Sequence, residues 1–272
     1  MSQNHKILQL KKVTKIFSRG TIDEVAALDN IDLDVNPGDY ITIIGSNGAG
    51  KTTLLNVVGG TFPPERGSKV IIDGKDVTNL SEYKHAAYIG RVYQDPNVGT
   101  AGKMTIEENM VMAVLRGYRR GLRAARNKQR RELFRSALAP LGLGLEKRLD
   151  AYVGTLSSGQ RQAVALTMAT INSPSLLLLD EHIANLDPKT AQTVLEITAM
   201  IVQREKITTM MITHNMELAL RYGNRLVMMH EGRIVVDLNQ EQRAGLTIND
   251  LVSAFEQASG RKFIEDKILL RR

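Results

Sequence analysis

Cysteine is absent from the 272-residue chain, so disulfides and thiolate metal sites are excluded, a composition that agrees with a reducing compartment. No run of 18 apolar residues occurs, which excludes a membrane-spanning helix. No apolar stretch follows Met1-Ser2-Gln3-Asn4-His5-Lys6, and a signal peptide is not expected. Internal repeats and low-complexity segments are lacking. Aromatic residues make up only 4% of the chain and form no interleaved stacking platforms for single strands, so a nucleic-acid partner is not expected. What is present is ample apolar material, 43%, for one large domain or a domain with a small subdomain. The net charge of +7 suits an acidic partner, whether nucleotide, nucleic acid or anionic lipid, without choosing among them.

The run Gly45-Ser46-Asn47-Gly48-Ala49-Gly50-Lys51-Thr52 fits the phosphate-loop pattern G-x-x-x-x-G-K-[ST] at every fixed position. It lies between an apolar run that reads as a buried strand, Tyr40 to Ile44, and a helix expected to start at Thr53. Backbone N–H groups and the helix dipole there attract an anion. Gly45, Gly48 and Gly50 let the chain curl around phosphate. Lys51 can bridge the β- and γ-phosphates, and the Thr52 hydroxyl can hold Mg2+. Thr53 completes the set of expected nucleotide contacts.

Before the loop, Val25–Leu28 and Ile31–Val35 read as two short strands broken at Asp29-Asn30. Val70–Val77 reads as a strand with an Asp73-Gly74 turn, and Tyr88–Gln94 as a further strand. Residues 103–171 read as helical, opening on a capping box at Thr105–Glu108. Strands then alternate with helices: Ser175–Asp180, Pro188–Gln203, Ile207–Thr213, a hairpin at 226–236, and a short helix from Thr247. The pattern predicts an α/β fold with a mostly parallel sheet, an N-terminal antiparallel β subdomain and an inserted α-helical subdomain.

The strand Leu176–Leu179 ends in two carboxylates. In a phosphate-loop protein, Asp180 can orient the Mg2+ shell and Glu181 can polarise the attacking water as general base. Leu156-Ser157-Ser158-Gly159-Gln160 precedes that strand. Ser157 offers a hydroxyl, Gly159 an unshielded N–H, and Arg161 to Ala169 a following helix whose start favours anions. A plain serine helix cap accounts for the same residues.

With these motifs in place, the chain resembles the ATP-binding cassette (ABC) ATPases over roughly residues 7–240. Ser158 stands where that family usually has a glycine, while Ser157 and Gly159 remain. The resemblance implies a P-loop NTPase fold, ATP and Mg2+ as cofactors, and a head-to-tail dimer with a second copy. In that dimer Ser157, Ser158, Gly159 and Gln160 of one copy would meet the ATP held by the other. Gln94 matches the glutamine that touches Mg2+ or the attacking water, and His214 the histidine that contacts the γ-phosphate. Ala184–Asp187 matches the loop that meets the partner copy, implying a dimer contact for Asp187. Phe17 matches the aromatic that stacks on adenine, although a core position would equally account for it. His182, where the family commonly has proline, has no assigned role.

The resemblance further implies a nucleotide-binding domain over 5–257, with its helical subdomain at about 97–171, followed by a basic tail over 258–272. Separate integral-membrane permease subunits are implied, and with them an external solute-binding protein. The site of action would be the cytoplasmic face of the inner membrane, as a peripheral subunit. The cationic run between Leu115 and Arg135 reads either as a solvated helix face or as a surface near anionic headgroups. Separate permease chains resemble the arrangement of prokaryotic importers, which makes import the expected direction, and the stretch Asp180–Thr190 is most similar to ATPases paired with amino-acid-type permeases. The alternatives are a soluble ABC ATPase in Fe–S cluster assembly or nucleic-acid work, and a phosphate-loop kinase, which would leave Leu156–Gln160 unexplained.

Overall fold

The computed structural model describes residues 5–116 and 127–259. Its strands are β1 (Leu8–Phe17), β2 (Val25–Val35), β3 (Tyr40–Gly45), β4 (Lys69–Ile72), β5 (Lys75–Asp76), β6 (Ile89–Val92), β7 (Leu176–Asp180), β8 (Thr208–Ile212), β9 (Arg225–His230) and β10 (Arg233–Leu238). Its α-helices are α1 (Lys51–Val58), α2 (Glu82–His85), α3 (Pro96–Gly99), α4 (Ile106–Val114), α5 (Lys128–Leu138), α6 (Ser158–Thr170), α7 (Pro188–Glu205), α8 (Met216–Arg221), α9 (Gln240–Arg243) and α10 (Ile248–Ser259). The described residues of Met1–His85 and Thr208–Arg272 form one compact unit, and those of Ala86–Ile207 form the other.

The first unit holds an antiparallel sheet in the order β2-β1-β4-β5, and a run β10-β9-β3-β8 in which β3 is parallel to both β8 and β9. In β2, Ile31, Leu33 and Val35 are buried and alternate with exposed Asp32 and Asp34, as expected of a strand with one wet face. The expected break at Asp29-Asn30 does not occur. Val13 faces Ile31 and Lys15 faces Leu28, so β2 carries one extra residue and absorbs it as a bulge. Asn30 takes φ 54°, a conformation asparagine tolerates, and its N–H donates to Thr14 Oγ1 at 3.1 Å. All five residues of β8 are buried, the pattern of a strand covered on both faces. Helices α8 and α10 pack on this sheet: Met216, Ala219, Leu251 and Phe255 form a core with Ile44, Leu226 and Met228. Helix α1 starts at Lys51, two residues earlier than the apolar pattern indicates.

The second unit pairs β6 in parallel with β7, and all five residues of β7 are buried. The segment expected to be helical throughout holds α4, α5 and α6, with short 3-10 turns at Ala139–Leu141, Leu145–Lys147 and Val153–Thr155. Pro140 removes a helical N–H, and Gly142 and Gly144 adopt φ 68° and 70°, which ends the α-helical path there. The Thr105 capping box forms as predicted. Strand β6 is shorter than the expected Tyr88–Gln94.

Part of the basic run is spent inside the unit. Arg131 pairs with Glu107 and Asp150, and Arg116 donates to the Ala169 carbonyl. Glu107 and Asp150 thus reach that run from elsewhere in the chain. Arg119, Arg120, Arg123 and Arg126, and most of the tail expected at 258–272, lie outside the described residues.

His182 is wholly buried beneath α7. The Thr198 hydroxyl donates to Val194 O at 2.8 Å, so its oxygen accepts from His182 Nε2 at 3.2 Å and the proton sits on Nε2. Burial pushes the imidazole pKa down to about 4. Between about pH 6.5 and 4 the unfolded chain takes up this proton and the folded chain does not, so stability falls as pH falls through that window. The full cost is on the order of 3 kcal/mol. Urea midpoints followed from pH 7 to 4.5 should drop less steeply for His182→Leu than for the native chain.

Candidate active site

The first unit builds the phosphate loop from close backbone contacts. Strand β3, with Ile41 to Ile44 buried or nearly so, delivers the chain to Gly45. A Cβ at Gly45 would lie 2.2 Å from the Met229 carbonyl oxygen on β9. At Gly50 (φ 96°) it would lie 2.3 Å from the Ala27 carbonyl oxygen on β2. Only glycine fits at either point. The turn between β9 and β10 holds the loop from behind, since Gly232 N–H donates to Ala49 O at 3.1 Å and Asp29 N–H to Gly232 O at 2.9 Å. Gly50 is the N-cap of α1 and brings no side-chain cap, so the helix dipole faces the loop without a competing side-chain acceptor.

Lys51 is buried, and its Nζ donates to Gly45 O at 2.8 Å and Ser46 O at 2.9 Å. Its ammonium is thereby held within the loop. Ser46 is half-buried, Asn47, Gly48 and Thr52 are exposed, and Thr53 is half-buried. His214 is exposed two residues beyond β8, where Thr213 N–H donates to Ile43 O at 3.2 Å and ties this strand end to β3. Phe17 is not a core residue. It is half-buried at the end of β1, edge-on to Phe62 at 5.3 Å, with Lys15 Nζ 5.3 Å from its ring centre.

The second unit assembles the remaining predicted residues. Asp180, at the end of β7, is only 7% exposed. Glu181 follows with φ 47°, a conformation unfavourable for a side chain of this kind, and its carbonyl accepts from Ala184 N–H at 2.9 Å. Gln94 lies exposed just past β6. Ser157 caps α6 in a full capping box: Gln160 N–H donates to Ser157 Oγ at 3.2 Å, and Ser157 N–H to Gln160 Oε1 at 3.3 Å. The cap reading is realised, and Ser157 and Ser158 are exposed. Gly159 is buried, and a Cβ there would lie 2.2 Å from Thr190 Cγ2 on α7. Its glycine thus has a packing reason besides an unshielded N–H. Asp187 caps α7, accepting from Thr190 N–H at 3.1 Å, and the Thr190 side-chain hydroxyl together with that backbone bond holds its pKa below the usual carboxylate range.

Two residues escaped the sequence reading. Arg91 on β6 pairs with Asp180 at 3.6 Å. Gln162, fully buried in α6, donates to Tyr93 O at 3.1 Å. An arginine in a short strand otherwise made of Ile89, Gly90 and Val92 is the signal that could have found the first.

A glycine-opened phosphate loop, a buried strand ending in a carboxylate pair and a serine-capped helix define an ATPase of the cassette class. Residues 28–184 match the ABC transporter family, and the chain belongs to it. The tyrosine transport ATP-binding protein of Clostridioides difficile (strain R20291) is 40% identical over 93% of this chain and its own full length. The methionine import ATP-binding protein MetN of Bartonella henselae is 34% identical over 86% of this chain, which spans 65% of that relative. Among solved structures, the dimeric bacterial ABC transporter cassette MJ0796 superposes with a TM-score of 0.72 at 27% identity, covering 86% of this chain and 98% of its own. A post-hydrolysis state of that cassette carries ADP and Pi. The chain is an ATP-binding ABC transporter ATPase, a P-loop NTPase with importer-type relatives.

Replacing Lys51 with Ala removes the one ammonium in the loop. ATP affinity should fall by about tenfold or more, read by titration with a fluorescent ATP analogue. The melting temperature checks that the loop still folds.

Proposed function

We propose that the chain is the ATP-hydrolysing subunit of an importer, working as a head-to-tail dimer beneath separate permease subunits. The observation that carries this reading is that one chain holds both a phosphate loop opened by glycine contacts and an outward-facing serine-capped helix start. Gly45 to Thr53 of one copy cradle the triphosphate, Phe17 stacks on adenine, and Ser157 to Gln160 of the second copy close over the γ-phosphate. Asp187 contacts the second copy. Glu181 draws the proton from the attacking water, and His214 steadies the γ-phosphate.

The donor set suits Mg2+. Thr52, Gln94 and Asp180 offer hydroxyl, amide and carboxylate oxygens, the hard ligands this ion takes together with substrate phosphates. Bound there, Mg2+ would neutralise charge on the β- and γ-phosphates.

No helix among the described residues is long and apolar enough to cross a membrane, so the translocation path would belong to other chains. A permease contact would cover exposed apolar residues of the second unit such as Val98 and Tyr152. The nucleotide-binding domain then covers about 5–257, with the helical subdomain at about 97–171, peripheral on the cytoplasmic face of the membrane. The relatives named for tyrosine transport and methionine import favour an amino acid cargo delivered by an external binding protein.

Glu181→Gln should bind ATP with near-native affinity, lose most turnover, and accumulate as an ATP-dependent dimer by size-exclusion light scattering. A variant that hydrolyses ATP at the native rate would remove Glu181 from the base role. Affinity purification of the chain from detergent-solubilised membranes should retain a polytopic partner, and DNA- or RNA-stimulated turnover in its place would overturn the transport reading.

A further inference from the structure

We propose that Arg91 is a positioning residue for Asp180, an internal cation that pairs with this carboxylate and that a divalent metal must displace. The inference rests on the reading of Asp180 as a metal-side carboxylate. Arg91 faces Leu178 across the parallel pair β6–β7. Side chains alternate along a strand, so Asp180, two residues beyond Leu178, points to the same face. The Arg91 Nη2 stands 3.6 Å from Asp180 Oδ2, and each side chain is only 11% exposed. A carboxylate this deep without a cation would be an uncompensated buried charge that destabilises the fold.

The pair is Coulombic but long. Charge-assisted hydrogen bonds close to about 2.7–2.9 Å, and this contact does not. Arg91 thus offsets the carboxylate's charge through space rather than through a short hydrogen bond. A second hold comes from Tyr93, two residues along β6's path, whose ring centre lies 4.6 Å from the Arg91 guanidinium carbon. The Tyr93 main chain is in turn fixed by Gln162 of α6. Arg91 is thus anchored on an aromatic face beside the carboxylate.

A fixed positive charge at this place opposes an incoming divalent cation. The triphosphate must supply negative charge to offset it, and Arg91 thereby reduces the gain in nucleotide affinity that the metal brings. Without Arg91 the carboxylate would favour the metal more strongly.

The test is the ratio of dissociation constants for the β,γ-imido analogue of ATP in EDTA and in excess Mg2+. It is measured by calorimetry on the full chain in one buffer at a fixed pH. Arg91→Gln should raise this ratio at least about fivefold over the native protein. Arg91→Lys keeps the charge and should stay within about twofold of native. Tyr93→Leu removes the ring and no charge, and should shift the ratio in the same direction by less. It decides the matter if Arg91→Gln does not fold. An unchanged or lower ratio in folded Arg91→Gln, or in Tyr93→Leu where that variant decides, overturns the proposal while leaving the metal reading intact. An Arg91→Lys ratio matching Arg91→Gln also overturns it. A native ratio of one would sink the metal reading itself, and this proposal with it.

Discussion

The phosphate loop depends on main chain meeting main chain where no side chain can stand. Gly45 lies against the Met229 carbonyl and Gly50 against the Ala27 carbonyl, so β9 and β2 set the curvature of the loop. The Gly232 N–H on Ala49 O closes the same contact from the hairpin turn. These partners come from opposite ends of the chain. A loop held this way is preorganised, because its donors are aimed before any anion arrives. Lys51 fits the same logic. Its buried ammonium donates to the carbonyls of Gly45 and Ser46 and is held within the loop.

The second unit solves a different problem, the placing of charge at the edge of an apolar strand. Leu176 to Leu179 are fully buried and bring Asp180 to the end of the strand, where Arg91 answers its charge. Glu181 then turns sharply in a conformation that costs on the order of 1 kcal/mol or more. That cost is tolerated where the strand end re-aims a carboxylate. Two helix caps flank this region in sequence, Ser157 on α6 and Asp187 on α7, and Gly159 lets the two helices approach at Thr190. Capping and phosphate recognition use the same hydroxyl chemistry, which is why a serine cap and an ATP contact can be one residue.

Much of this was legible in the amino-acid order. The phosphate loop, the leucine strand with its two acids, the Thr105 box and the 226–236 hairpin each follow from short-range chemistry, and each is found. The misreadings share one cause. Asn30 looked like a break because a local signal cannot show that β2, paired with β1, absorbs an extra residue there as a bulge. Helicity through 139–155 failed because proline and two left-handed glycines outweighed the apolar spacing. Phe17, read as either adenine platform or core, sits edge-on to Phe62, a pairing visible only once β1 is folded. Part of the basic run looked like a free cationic face, yet Arg131 spends its charge on Glu107 and Asp150.

By itself, the amino-acid order determined the nucleotide class, the family and the residue types that handle phosphate, since loop curvature, helix start and acid pair are encoded within a few residues of one another. Only tertiary structure decided which glycines are obligatory, which way Lys51 turns, that His182 is buried neutral, and that Arg91 faces Asp180. The physical reason is range. Backbone conformation and capping are settled by neighbours in the chain, while close approach, desolvation and charge pairing depend on groups that only folding brings within a few ångströms.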